Sequence, residues 1–339
     1  MASRDRALVI GGTGFIGRML VEQLVEQGGE VRVMSRRAGH ARDGHVRYVK
    51  GEVADVESLR RAIDGVEVVY DLSMGGGPTW EDYLRDFVQG AQNVAEVCLE
   101  HGVRRLIYTS TIAALQLSGD GRTDESDGPD PKPHLRSWYS RGKIFAERAL
   151  LGLHETRNLP VVIFRPGIVV GKGNRLSHPG IGTWVSPTCC EVVGSGRTPL
   201  PLVLVEDVAG ALVLAKDAPA AALGRTFNLA GDVRLSAAEY CDIAGRRSLR
   251  NFRLSPKSMW GIQAFRLVVW LGKAAMRRKD NVWLSWHELK TAPQKTHIDC
   301  GAAKALLGWR PVADRAEFIH RAIDIHVVPP RPGDLRLSA

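Results

Sequence analysis

Residues 9–17 read VIGGTGFIG: the end of an apolar run, glycines at Gly11, Gly14 and Gly17, and then the start of a helical pattern. The order strand, glycine turn, helix decides the fold. Glycine at Gly11 permits a tight turn, Gly14 lets backbone approach a pyrophosphate, and Gly17 allows close packing, while free amides at the helix start face phosphates. The expected contacts from this stretch are Gly11, Thr13, Gly14, Phe15, Ile16 and Gly17. A glycine cluster alone is weak; its place in the first strand–helix–strand unit gives it meaning.

Working outward, RMLVEQLVEQG carries apolar residues at helical spacing and Gly28 as a stop. The strand-like runs EVRVMSR, VRYVKGEV, VEVVYDLS, RRLIYTS and LPVVIFRPGIVVG follow, separated by helical stretches such as DVESLRRAIDG and WEDYLRDFVQGAQNVAEVCLEHG. This alternation predicts an α/β chain whose first part, residues 1–170, is a doubly wound parallel sheet covered on both faces. Residues 171–330 are less regular and mostly helical in pattern. They predict a smaller substrate lobe, with residues 200–232 returning to the main sheet and 331–339 left as a tail.

At 339 residues, with 24% charged and 44% hydrophobic, the composition is that of a globular protein. The net charge of +9 is spread along the chain. It suits a phosphorylated cofactor or an anionic surface, and without zinc-finger spacing or an aromatic-basic stripe it gives no case for nucleic acid. Five cysteines with no CxxC fit a reducing compartment, and MASRDRALVIGGTG reaches the glycine turn without room for a signal peptide, so a cytoplasmic protein is expected. The scattered histidines form no HExxH and gather no ligand set, so no metal is expected. Cys189 and Cys190 read as lobe packing, and Met74, Trp184, Trp260 and Phe265 as pocket lining or ordinary packing.

Residues 258–280 are apolar but too short to span a membrane: Arg266 interrupts the run, and Arg277, Arg278 and Lys279 close it. The reading preferred here is a buried helix or pocket wall, with membrane-surface contact as the alternative. After the second strand, Met34-Ser35-Arg36-Arg37 lacks the carboxylate that would bond ribose hydroxyls. Arg36, beside Ser35, can fork onto a 2'-phosphate, which favours NADP over NAD.

The fifth strand ends in Tyr108-Thr109-Ser110-Thr111, and Tyr139 and Lys143 follow four residues apart on one helix face. Crossover geometry brings both to the carboxyl edge of the sheet, beside the cofactor cleft. With GxxGxxG at 11–17, the Ser/Thr cluster at 109–111, Tyr139-x-x-x-Lys143, RPGIVVGKGN, VEDVAGALVLA and KALLGWRP in this order over nearly the whole length, the chain resembles the extended short-chain dehydrogenase/reductases. Within them it resembles the epimerase/dehydratase group, in the manner of the 3-beta-hydroxysteroid dehydrogenase and flavonol reductase branch.

The resemblance implies a Rossmann-like fold in which the Tyr139 phenol is the acid or base, Lys143 holds the nicotinamide ribose and favours the phenolate, and Thr111 orients the substrate oxygen. An ammonium beside a phenol is expected to lower its pKa from about 10. The resemblance further places Glu52 and Val53 near adenine, Leu72 and Ser73 near phosphates and ribose, and Pro166 and Gly167 near the carboxamide; it also implies a homodimer. The chain departs from the pattern at Asp71 and Phe87. Neither is expected to touch the acid–base set, Asp71 reading as a turn carboxylate, and Gly142 is expected to leave space beside the cofactor.

Three functions follow. The first is an NADP-dependent enzyme interconverting a carbonyl and a secondary alcohol on a small hydrophobic ketone or alcohol. The second is a nucleotide-sugar epimerase or dehydratase with bound NAD, using Arg175, Arg197, Arg234 and Arg253 for phosphates. The third is a non-catalytic dinucleotide-binding assembly or regulatory subunit.

Overall fold

The computed structural model describes residues 6–37, 45–116, 121–248, 251–276, 285, 287–288 and 297–327. The tail at 331–339, His40 and the basic residues 277–279 lie outside them. Strands are β1 (Arg6–Ile10), β2 (Glu30–Ser35), β3 (Val46–Lys50), β4 (Val68–Asp71), β5 (Arg105–Thr109), β6 (Arg122–Thr123) and β7 (Val161–Pro166). They continue with β8 (Ile168–Val170), β9 (Thr183–Ser186), β10 (Cys189–Val193), β11 (Leu202–Leu204), β12 (Thr226–Leu229), β13 (Arg253–Lys257) and β14 (His297–Ile298).

The main sheet has seven parallel strands in the order β12-β7-β5-β4-β1-β2-β3. The chain winds outward from β1 to β3 and then returns to β4 on its other side, which opens a crevice at the carboxyl ends of β1 and β4. Strands β4, β5 and β7 are buried at every position, as expected where helices cover both faces. One face packs on α1 (Phe15–Glu26) and α6 (Val205–Ala215), through Leu20, Leu24, Val208 and Leu212. The other packs on α2 (Val56–Ile63), α4 (Gly90–Glu100) and α5 (Trp138–Arg157), through Leu59, Val94 and Leu150. A short α3 (Trp80–Tyr83) runs through a π-helical turn, Leu84–Gln89, into α4.

The run LPVVIFRPGIVVG is not one strand. It breaks at Gly167, where a Cβ would lie 2.1 Å from the Pro201 carbonyl oxygen. Of the segments expected to return to the main sheet, β12 joins it beside β7, whereas β11 pairs with β8 in a separate two-stranded ribbon. The rest of the lobe holds a three-stranded sheet, β13-β10-β9, besides α7 (Ala237–Ser248), α8 (Met259–Ala275), α9 (Gly301–Leu307) and α10 (Arg315–Ala322).

Helix α8 corrects the reading of residues 258–280 as buried. Its only buried residue is Gln263, and Trp260, Phe265, Leu267, Val268 and Leu271 are exposed. Local periodicity gave the helix, but no described element covers its apolar side. Among the described residues no helix is long and apolar enough to cross a membrane.

Candidate active site

Gly11 has φ +80, and a Cβ there would meet the Leu72 carbonyl oxygen at 2.7 Å, so the turn requires glycine on both counts. At Gly17 a Cβ would lie 2.3 Å from the Gly11 carbonyl oxygen, which holds α1 tight against the turn. Gly14 caps α1 without a side-chain hydrogen bond, so the first-turn amides are left for a ligand. Gly11, Gly14, Phe15, Ile16 and Gly17 line one wall of a cavity of about 920 Å³, with Leu72 and Ser73 from the end of β4 beside them. These features fit a dinucleotide: a cradle that side chains would fill, with open amides at its base.

Thr13 is exposed, and its carbonyl accepts from Arg18 Nε at 2.9 Å. Ser35 and Arg36 stand at the end of β2 and Glu52 and Val53 just past β3, further along the carboxyl edge and outside the cavity lining. Arg36 is exposed, and Ser35 pairs in register with Lys50, so this edge is cationic.

Thr111, Tyr139, Lys143, Pro166 and Gly167 all line the same cavity. Thr111 caps a short 3-10 turn after β5, its hydroxyl accepting from the Ala113 amide at 3.2 Å. Ser137 caps α5, which presents Tyr139 in its first turn and Lys143 in the next. Burial raises the Tyr139 pKa above 10, and a hydrogen bond with Thr111 opposes that rise. The phenol is therefore protonated at neutral pH. The Lys143 amine donates to Tyr108 Oη at 3.2 Å and to the Thr109 carbonyl at 2.9 Å. Burial lowers its own pKa from 10.5 to about 8, against the carboxylates of Asp71 and Glu147.

Asp71 and Phe87 do reach the acid–base set, contrary to expectation. Asp71 Oδ1 accepts from the Ser73 amide at 2.9 Å, as a turn carboxylate should, but Oδ2 is buried without a hydrogen-bond partner. Burial raises its pKa, and its charge acts on Lys143. Phe87 sits edge-on to Tyr139, with ring centroids 5.7 Å apart, and lies 4.9 Å from Lys143 Nζ. The π-helical turn is the local device that carries it, a common association at functional sites. Gly142 makes room for this ring rather than for cofactor: a Cβ there would meet Phe87 Cδ2 at 3.3 Å.

Behind Lys143, one helical turn on, Glu147 is fully buried against Arg165, Nη2 to Oε2 2.6 Å, and accepts from the Ser110 hydroxyl. Sequence reasoning missed this pair. The i+4 spacing of Tyr139, Lys143 and Glu147 on one face was the available signal.

The model of the NAD dependent epimerase/dehydratase family matches residues 7–230. The chain belongs to that family. A 2-alkyl-3-oxoalkanoate reductase of Stenotrophomonas maltophilia is 28% identical over 63% of this chain and 66% of its own length. The mouse sterol-4-alpha-carboxylate 3-dehydrogenase, decarboxylating, is 26% identical over 95% of this chain and 91% of its own. In fold, the gox2253 crystal structure is similar at TM-score 0.75, 24% identity and 94% and 98% coverage of the two chains. A UDP-glucuronic acid 4-epimerase from Bacillus cereus in complex with NAD gives TM-score 0.73 at 18% identity, covering 95% and 98%. The protein is thus an enzyme of the short-chain dehydrogenase/reductase type.

In this family member the lobe side of the cavity is largely apolar, with Ile168, Ile181, Val192 and Leu200 in its wall. Besides Lys143, Arg136 and Arg266 also line the cavity. Arg136 is held by Asp130 at 2.7 Å, by Glu288 at 2.5 Å and by the Ala113 carbonyl at 2.8 Å. Arg175, Arg197, Arg234 and Arg253 are not in the wall. Of the aromatic and methionine candidates only Met74 lines it; Trp184 donates to the His178 carbonyl at 2.9 Å, and Trp260 and Phe265 face outward.

Proposed function

We propose that the chain is an NADP-dependent oxidoreductase that interconverts a carbonyl and a secondary alcohol on a small hydrophobic substrate. The observation that carries this reading is the convergence of Thr111, Tyr139 and Lys143 with the glycine turn on one cavity whose far wall is apolar. Arginines suited to a sugar nucleotide lie outside that wall, which weighs against an epimerase. Two relatives are named for acids, an oxoalkanoate and a sterol carboxylate, so oxo acids belong among the candidate substrates.

A bound nicotinamide supplies the hydride. Tyr139, protonated at neutral pH, donates its phenolic proton to the substrate oxygen as that oxygen becomes an alkoxide. Thr111, already bonded to Tyr139, orients the same oxygen. Lys143 is positioned by Tyr108 and Thr109 and offers its remaining hydrogen to a ribose. Arg36, with Lys50 near it, pairs with the 2'-phosphate. We place the protein in the cytoplasm as a homodimer formed through helices of the nucleotide-binding half.

The test is NADPH oxidation with a panel of hydrophobic ketones and oxo acids. Tyr139→Phe is expected to lower turnover by about 10²–10⁴-fold while nucleotide binding persists. Full activity in that variant removes Tyr139 from the chemistry. Interconversion of UDP-sugars on tightly held NAD, with no net cofactor use, overturns the reading in favour of an epimerase; nucleotide binding with no turnover on either panel favours an assembly subunit.

A further inference from the structure

Helix α8 has its polarity reversed. A surface helix ordinarily turns apolar residues inward, yet here Gln263 is the buried residue and Arg266 points into the cavity wall. The solvent side carries Trp260, 76% exposed, Phe265, 68%, Val268, 67%, and Leu271, 53%. An apolar face of this kind on a globular protein marks a contact surface.

The charge around it names the partner. From 251 to 276 the sequence contains no acidic residue and, besides the inward Arg266, carries Arg253, Lys257 and Lys273; it then continues Arg277-Arg278-Lys279-Asp280. Lys257 is partly satisfied by Glu191 at 3.1 Å, while Arg253, at the start of β13, is exposed. We propose that the outer face of α8 docks on an anionic lipid bilayer and lies in its interface, apolar side chains among the acyl chains and cations at the headgroups. A second copy of the chain is a poorer occupant. Two-fold pairing through this patch sets the same cationic segment against itself, whereas anionic headgroups neutralise it. A dimer through the nucleotide-binding helices leaves α8 free.

Arg266 projects from the opposite side of the same helix into the cavity, so docking brings the substrate cavity against the membrane surface. This entry route for apolar substrates rests on the reductase reading; the docking does not, and is tested without turnover.

The experiment is vesicle flotation of the full chain, with phosphatidylcholine alone and with phosphatidylcholine containing phosphatidylglycerol. Binding is expected with the anionic vesicles, weaker with the neutral ones and declining as salt is raised. The V268E/L271E variant, altered only at exposed positions, is expected to lose partitioning by about tenfold or more, with circular dichroism unchanged. Should it not fold, Phe265→Ser provides the same readout. No flotation of the native chain, or flotation untouched by the substitutions, overturns the proposal. So does a native dimer, seen by light scattering, that V268E/L271E converts to monomer, since the face is then an interface between copies.

Discussion

Replacing Glu147 by leucine leaves the Arg165 guanidinium buried without its carboxylate. The side chains of Arg165 and Glu147 are 1% and 0% exposed, and Arg165 Nε also reaches both carboxylate oxygens at 3.1 Å. Breaking a buried pair from one side costs about 3–5 kcal/mol, a large part of the roughly 5–15 kcal/mol that holds a typical native state together. Removing both charges in R165M/E147L avoids the stranded ion, but it strands the buried Ser110 hydroxyl, while the Asp127 carbonyl that Arg165 Nη1 bonds at 2.8 Å belongs to an exposed residue and turns to water. The orphaned Ser110 hydroxyl costs about 1–3 kcal/mol, so the double variant is expected to fall short of the native chain yet lie well above the sum of the single losses. Equilibrium urea unfolding of the four proteins measures this cycle. Because α5 also carries Tyr139 and Lys143, E147L should lower kcat as well. A loss below about 1 kcal/mol in E147L, or additive single losses, refutes the idea that this pair fixes α5 to the sheet.

Further tests concern individual side chains. The Lys143 pKa is lowered from 10.5 to about 8, so its burial is a penalty that is full below pH 8 and fades as pH rises toward 10.5. Across that window the native chain should gain about 3 kcal/mol that Lys143→Met does not gain, read from urea unfolding at several pH values; parallel curves contradict it. In Gly17→Ala the new Cβ meets the Gly11 carbonyl oxygen at 2.3 Å, so α1 must retreat at a cost of about 1–3 kcal/mol. NADPH titration should show weaker binding, and unchanged affinity rules out the tight turn as the cradle. Arg36→Glu is expected to raise the KM for NADPH about tenfold or more and leave that for NADH nearly unchanged; an unaltered preference removes Arg36 from the phosphate site.

The features legible in the sequence are those whose cause is local. The glycine turn, the buried strands around it and the one-face spacing of Tyr139 and Lys143 each follow from a few neighbouring residues. Long-range facts were not legible. The partners of Lys143 turned out to be Tyr108 and Thr109, because α5 is held close against the end of β5 by Glu147 and Arg165 from different elements. Phe87 reaches Tyr139 through an extra residue in a helical turn, which periodicity reads as ordinary helix. The apolar run of α8 was read as buried because hydrophobicity does not reveal whether a covering element exists.

The break at Gly167 also decides how the protein can be recombined. Up to Pro166 the chain lays down six of the seven main strands, and all of the glycine cradle and acid–base residues; beyond it, most of the substrate wall is written. A foreign lobe cannot simply be spliced there, since β12 must still come back to close the sheet beside β7. Helix α6 must stay with it, because together with α1 it covers one face of the sheet, so the exchangeable stretch is residues 171–200, with Gly167 kept where the chain passes the Pro201 carbonyl.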